Sequence, residues 1–165
     1  RVLPASRWAV FDRSVIAWRL ASDTQRAGQI TSLDAVRTAV EPIAANLAAG
    51  NASPEQAARL HELAVKLVDL TEAGQGNSDE FLAADKEFHT LLLQASGNEM
   101  FAALAEPIMN VLEGRTRYGI MPDEPELETM RVHVDLAESV AKRDPQGAED
   151  ASRRLLTGVS GFMEI

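Results

Sequence analysis

The chain has 165 residues, a formal charge of −9 at pH 7, 5% aromatic residues and no cysteine. That length suits one domain with a well-formed core, and the missing cysteine excludes disulfides, thiolate metal sites and thiol catalysis. The acidic balance argues against this segment gripping a polyanion by itself, since phosphate binding needs clustered Lys and Arg. No run approaches the ~18 apolar residues of a membrane span, and the first residues lack the build of a signal peptide. A soluble, cytoplasmic protein without a membrane partner is expected. Because the chain begins at Arg1 rather than Met, it is also expected to be a fragment of something longer.

Ala and Leu abound and strict apolar–polar alternation is absent, which favours helices packed on helices over a sheet. Residues 1–29 open irregularly around Pro4 and read as a linker, with Asp12 capping a short docking helix through Val15, Trp18 and Leu20 that Gly28 ends. From Thr31 or Ser32 to about Ala49, helical spacing of Leu33, Val36, Val40, Ala44 and Leu47 predicts a helix with Pro42 inside it. Ser53 followed by Pro54 is a clear start signal for a helix to about Glu72. Ser78 caps the next, which carries Phe81, Phe88, Leu91 and Leu92 and stops at Gly97. Asn98 starts another through Phe101, Ile108 and Leu112, with Pro107 as a point of kinking and a Gly- and Pro-rich break after Arg117. A helix from about Glu124 to Lys142 and one from Pro145 to the C-terminus complete an all-α, antiparallel bundle of six to seven helices. Residues 30–165 form its main body.

The candidate metal ligands fall on two of these helices. Asp85 and His89 stand four apart, on one helix face, where they form either a salt bridge or half of a metal site. His133 falls on the inward stripe of its own helix, three after Met130 and three before Leu136, whereas His61 lies among exposed charge and is expected to be silent. An Asp and two His converging from two helices suit zinc, nickel or manganese, although a lone inward His is more often a core residue satisfied by one hydrogen bond. Arg37, near the inward face of its helix, needs an anion: Glu41, another acidic side chain, or a ligand carboxylate. Arg115 and Arg117 stand before the break, placed to close over such an anion or simply to be solvated.

These residues resemble the effector-binding, C-terminal FCD domain of GntR-type bacterial transcription regulators of the FadR subfamily. The helix from Leu33 to Ala49, with Arg37 and Glu41, is similar to the family's first effector-domain helix, and Asp85 through Asn98 to its Asp-x3-His helix ending in Gly-Asn. His133 with the Arg143-Asp144 turn resembles its next ligand helix. The opening Arg1-Val2-Leu3-Pro4 with Trp8, Asp12 and Trp18 resembles the linker of members that answer to sugar acids such as galactonate. The resemblance implies a homodimer that binds a small carboxylate or sugar acid and controls DNA through an N-terminal winged helix-turn-helix domain, absent from this sequence. It implies Asp85, His89 and His133 as ligands of a divalent metal, and Arg37 as the effector's carboxylate partner; Asn98, Arg115 and Arg117 are further effector candidates. One departure stands out: the family commonly adds a last His about eleven residues after the turn Asp, and counting from Asp144 reaches Leu155. Weaker metal binding, or an empty site, would follow. The rival readings are a metal-dependent hydrolase, which lacks an evident general base, and a purely structural dimerisation bundle.

Overall fold

A computed structural model describes residue 4, residues 7–119 and residues 125–160, with the side chains of residues 111, 115 and 158–160 excepted. Among the described residues eight helices follow in order: α1 (Arg13–Ala21), α2 (Arg26–Asn51), α3 (Pro54–Glu72), α4 (Asp79–Ala95), α5 (Glu99–Ala103), α6 (Ala105–Arg117), α7 (Leu127–Ala141) and α8 (Pro145–Ser160). The all-α class holds, with six main helices, the short α1, and a single extra turn, α5. Among the described residues there is no helix long and apolar enough to cross a membrane.

Local chemistry accounts for most boundaries. The Asp12 side chain accepts from the backbone N–H of Ser14 and Val15 and caps α1. Ser53 and Gln56 form a reciprocal capping box at α3, with Pro54 at the first helical position, where its missing N–H costs nothing. Ser78 caps α4 through the Phe81 N–H. Arg143 adopts a left-handed backbone, φ 59°, normally left to glycine. Its guanidinium compensates by donating to the carbonyls of Ala49 (3.3 Å) and Gly50 (2.8 Å) near the end of α2.

Two expectations need correcting. Gly28 does not end α1; it lies inside α2, which begins at Arg26, five residues before Thr31. A glycine within a helix costs about 1 kcal/mol relative to alanine, and burial of Ile30 and Leu33 on the same stretch offsets that. Arg26 also ties the two helices together, its Nε donating to the Leu20 carbonyl at 2.7 Å and its Nη2 to that of Ala21 at 3.3 Å. The helix starting at Asn98, in turn, is two helices broken at Leu104. Pro107 has no N–H to offer the Ala103 carbonyl and its ring crowds that group, so the chain changes direction there instead of kinking later.

Packing follows two apolar clusters. One joins the C-terminal half of α2 with α3, α4, α7 and α8 around Leu63, Leu67, Phe88, Leu136 and Leu155. The other joins α1, the N-terminal half of α2 and α6 around Ile16, Leu33, Ile108 and Leu112. α2 packs on α4, α6, α7 and α8, and α3 packs on α4 and α7. The ends of α2 and α4 are held together by Asn51, whose Nδ2 donates to the Ser96 carbonyl at 2.8 Å. Gly97, at φ 72°, follows directly, and a Cβ there would sit 3.3 Å from that Nδ2. Gly97→Ala is therefore expected to lose about 1–2 kcal/mol from left-handed strain, read as a fall in the thermal midpoint of roughly 2–8 °C.

Candidate functional site

The apolar stripe of α2 is interrupted between Leu33 and Ala44 by Arg37 and Glu41, which are 3% and 0% exposed. Facing them from α4 are Asp85 and His89, and from α7 comes His133, all three buried. α4 and α7 are not close-packed neighbours, and side chains fill the space they leave. The Phe88 ring stands edge-on to both imidazoles, 5.3 Å from His89 and 4.9 Å from His133 between centroids. The two imidazoles lie 5.5 Å apart.

Arg37 Nε donates to Glu41 Oε1 at 2.6 Å, one turn along the same helix. Its Nη2 reaches His89 Nε2 on α4 at 2.7 Å. A guanidinium can only donate, so this bond makes Nε2 the acceptor and leaves the His89 ring proton on Nδ1. That nitrogen lies 2.8 Å from Glu41 Oε2. The pair lacks the alignment of a proper hydrogen bond, so the contact is chiefly electrostatic. Nε2 of His89 and Nε2 of His133 each stand 3.4 Å from the same oxygen, Asp85 Oδ1. Neither nitrogen of His133 has a hydrogen-bond partner.

Burial alone would neutralise these groups; for the two carboxyls their neighbours decide otherwise. Burial pushes the Asp85 carboxyl up, but His133, and His89 whenever its ring is protonated, outweigh it and hold it below the usual carboxylate range. Glu41 is likewise raised by burial and lowered further by Arg37 and His89, for a net fall. Burial keeps the His133 pKa down, so its ring is neutral. Burial lowers the His89 pKa and Glu41 raises it, with a net rise; a proton at Nε2 would nonetheless meet the Arg37 N–H head-on, so His89 is neutral while Arg37 holds it. Two carboxylates and one guanidinium then leave the cluster with one net negative charge, buried.

The donor set fits a divalent transition ion. One carboxylate oxygen and two imidazole nitrogens, on Asp85, His89 and His133, lie within 4.8 Å of one another, and the orphaned nitrogens of His133 are what a ligand awaiting an ion presents. Glu41 against the far edge of the His89 ring is the outer-shell carboxylate that often orients a metal-ligating His. Leu155, the position counted for a further His, is 1% exposed and packs in the Phe88 cluster.

The sequence profile of the FCD domain family matches residues 33–158. The chain belongs to the FCD domain family. The FCD match covers every residue of the buried cluster. Over 136 residues the chain is 26% identical to the HTH-type transcriptional repressor NanR of Cronobacter sakazakii, a stretch equal to 80% of this chain and 50% of that protein. The chain thus spans about half the length of that curated relative. Among solved structures it is similar to Streptococcus agalactiae GntR, with a TM-score of 0.70 and 24% identity over 90% of this chain and 65% of that one. It is also similar to E. coli McbR/YncC, with a TM-score of 0.65 and 20% identity over 78% and 61%. These two structures share the FCD domain's fold.

The other expected residues fare differently. Asn98 spends its side-chain oxygen capping α5, accepting from Met100 and Phe101, and stands beyond the end of α4, about 9 Å of helix rise past His89. Arg117 is exposed, its guanidinium 5.9 Å over the Tyr118 ring. The Arg115 side chain lies outside the described residues. His61 is exposed, as its neighbours suggest. Glu41 was foreseen only as a partner for Arg37; its second contact, to His89, had no sequence signal beyond a carboxylate on a buried stripe.

Proposed function

We propose that the chain is the effector-sensing part of a bacterial transcriptional regulator, which recognises a small organic or sugar acid through a divalent ion and so modulates an attached winged-helix domain. In this reading residues 1–29 are a linker and docking helix that follow the DNA-binding domain, residues 30–165 sense the effector, and the protein works in the cytoplasm as a homodimer. The observation that carries it is the buried Asp85–His89–His133 set beside Arg37, within an FCD match whose curated relative is a repressor.

Charge supports the ligand class. The cluster's net charge of minus one invites a cation, and a divalent ion takes it to plus one, which a single effector carboxylate restores to neutrality. Asp85, His89 and His133 would hold the ion; zinc, nickel and manganese all suit these donors. When bound, it supplies open positions for effector oxygens. Arg37 would take the effector's carboxylate, a fork matched to that geometry. Burial around Phe88 keeps the polar contacts dry and therefore strong. A hydrolase would need a free base beside the ion, and Glu41 is already paired with Arg37, so the regulator reading is preferred. An effector shifts the protein only by its differential affinity for two packings.

The test is thermal unfolding against sugar acids and short hydroxy acids, with and without zinc. An acid at a hundredfold its dissociation constant should stabilise the chain by about 2.7 kcal/mol, or roughly 5–11 °C, and Arg37→Ala should abolish the response. Silence across the panel, zinc present or absent, would refute the sensor; turnover of a compound would revive the enzyme.

A further inference from the structure

Resting on the metal reading above, a second property of the same site follows from one short contact. The His89 nitrogen that faces Asp85 Oδ1, and through it His133, is Nε2. That same nitrogen already accepts from Arg37 Nη2 at 2.7 Å. A neutral imidazole offers one in-plane lone pair, and a guanidinium can only donate. The ring has no spare nitrogen to turn toward Asp85, because Nδ1 carries the proton and sits against Glu41 Oε2 on the opposite edge.

We infer that Arg37 and a divalent cation compete for the His89 Nε2 lone pair, so that entry of the ion and withdrawal of the Arg37 terminal N–H are a single event. The withdrawal is local. The rigid guanidinium can pivot about its 2.6 Å Nε bond to Glu41 Oε1, carrying Nη2 off His89, and a carboxylate can then take the freed N–H groups. Ion and carboxylate then favour each other reciprocally, since each rewards the arrangement the other needs. Without a carboxylate, the guanidinium returns to His89 and weakens metal binding. Arg37 is thus an internal competitor as well as a carboxylate partner.

Removing Arg37 also removes a positive charge, so the decisive variant keeps it. Arg37→Lys places its ammonium near the position of the guanidinium carbon, within range of Glu41 but one bond short of His89. Zinc affinity of the chain, measured by competition with a chromophoric chelator, should rise roughly ten- to hundredfold in Arg37→Lys, the worth of one charge-assisted hydrogen bond. Arg37→Met should bind at least as tightly, provided circular dichroism shows it folded; should it not fold, Arg37→Lys still decides. Equal zinc affinity in Arg37→Lys and the unaltered chain would overturn the competition while leaving the metal site standing. Folded proteins that bind no zinc with or without Arg37 would remove both.

Discussion

Glu41→Ala is expected to cost about 3–5 kcal/mol, because it strands the Arg37 guanidinium in the interior without its anion. For a chain of this size that is a fall in thermal midpoint of roughly 6–20 °C, followed by circular dichroism. The reasoning turns on an asymmetry. A buried ion pair is weak evidence of net stability, since desolvation of both ions offsets most of their attraction, yet breaking one side is severe. Arg37 is 3% exposed and its strongest contact is the 2.6 Å bond to Glu41 Oε1. The double variant Arg37→Met/Glu41→Leu, which removes both charges and keeps the volume, should therefore recover most of the loss. A single variant within about 1 kcal/mol of the unaltered chain would show that water reaches the pair and that it is not the closed interior contact described above.

The second large effect concerns metal. His133→Ala removes a neutral imidazole with both nitrogens free, one of the three ligands proposed above. Its effect on zinc affinity should exceed the roughly 10–100-fold that loss of an outer-shell partner costs, read by chelator competition or by metal content after dialysis. Asp85→Asn should act similarly, since both imidazoles converge on Asp85 Oδ1 at 3.4 Å. Leu155→His, at the position where the family resemblance expects a further His, should move in the opposite direction. If zinc content is indifferent to His133, the ion is held elsewhere.

Most of the fold was legible because its signals are local. Asp12, Ser53 with Pro54, and Ser78 each cap the helix expected of them, since capping is decided within three residues. Gly28 misled because its meaning is tertiary: whether a glycine ends a helix or sits inside one depends on whether Ile30 beyond it is buried, which the chain decides only on folding. Pro107 announced a disturbance, but its placement at Leu104 follows from the crowded carbonyl one turn back.

At the site, spacing alone put Asp85 and His89 on one face and His133 on an inward stripe, and the three do meet. The link between Arg37 and His89, 52 residues apart, has no such signature. Nor does the double use of Glu41. Asn98 offered two readings, helix start and effector contact; the first is seen, because a side-chain oxygen beside the orphan N–H groups of a helix start finds partners at once.

Pro42 directly follows Glu41 within the 26-residue α2, and it cannot donate to the Thr38 carbonyl. The turn that carries Arg37 and Glu41 is thus the one where α2 has a rung missing from its ladder, and bending there meets the least resistance. From Pro42 back to Arg26 is about 24 Å of helix. Each degree of bend at the proline sweeps that end through about 0.4 Å, so a side-chain exchange at Arg37 has a lever arm longer than the whole of α1.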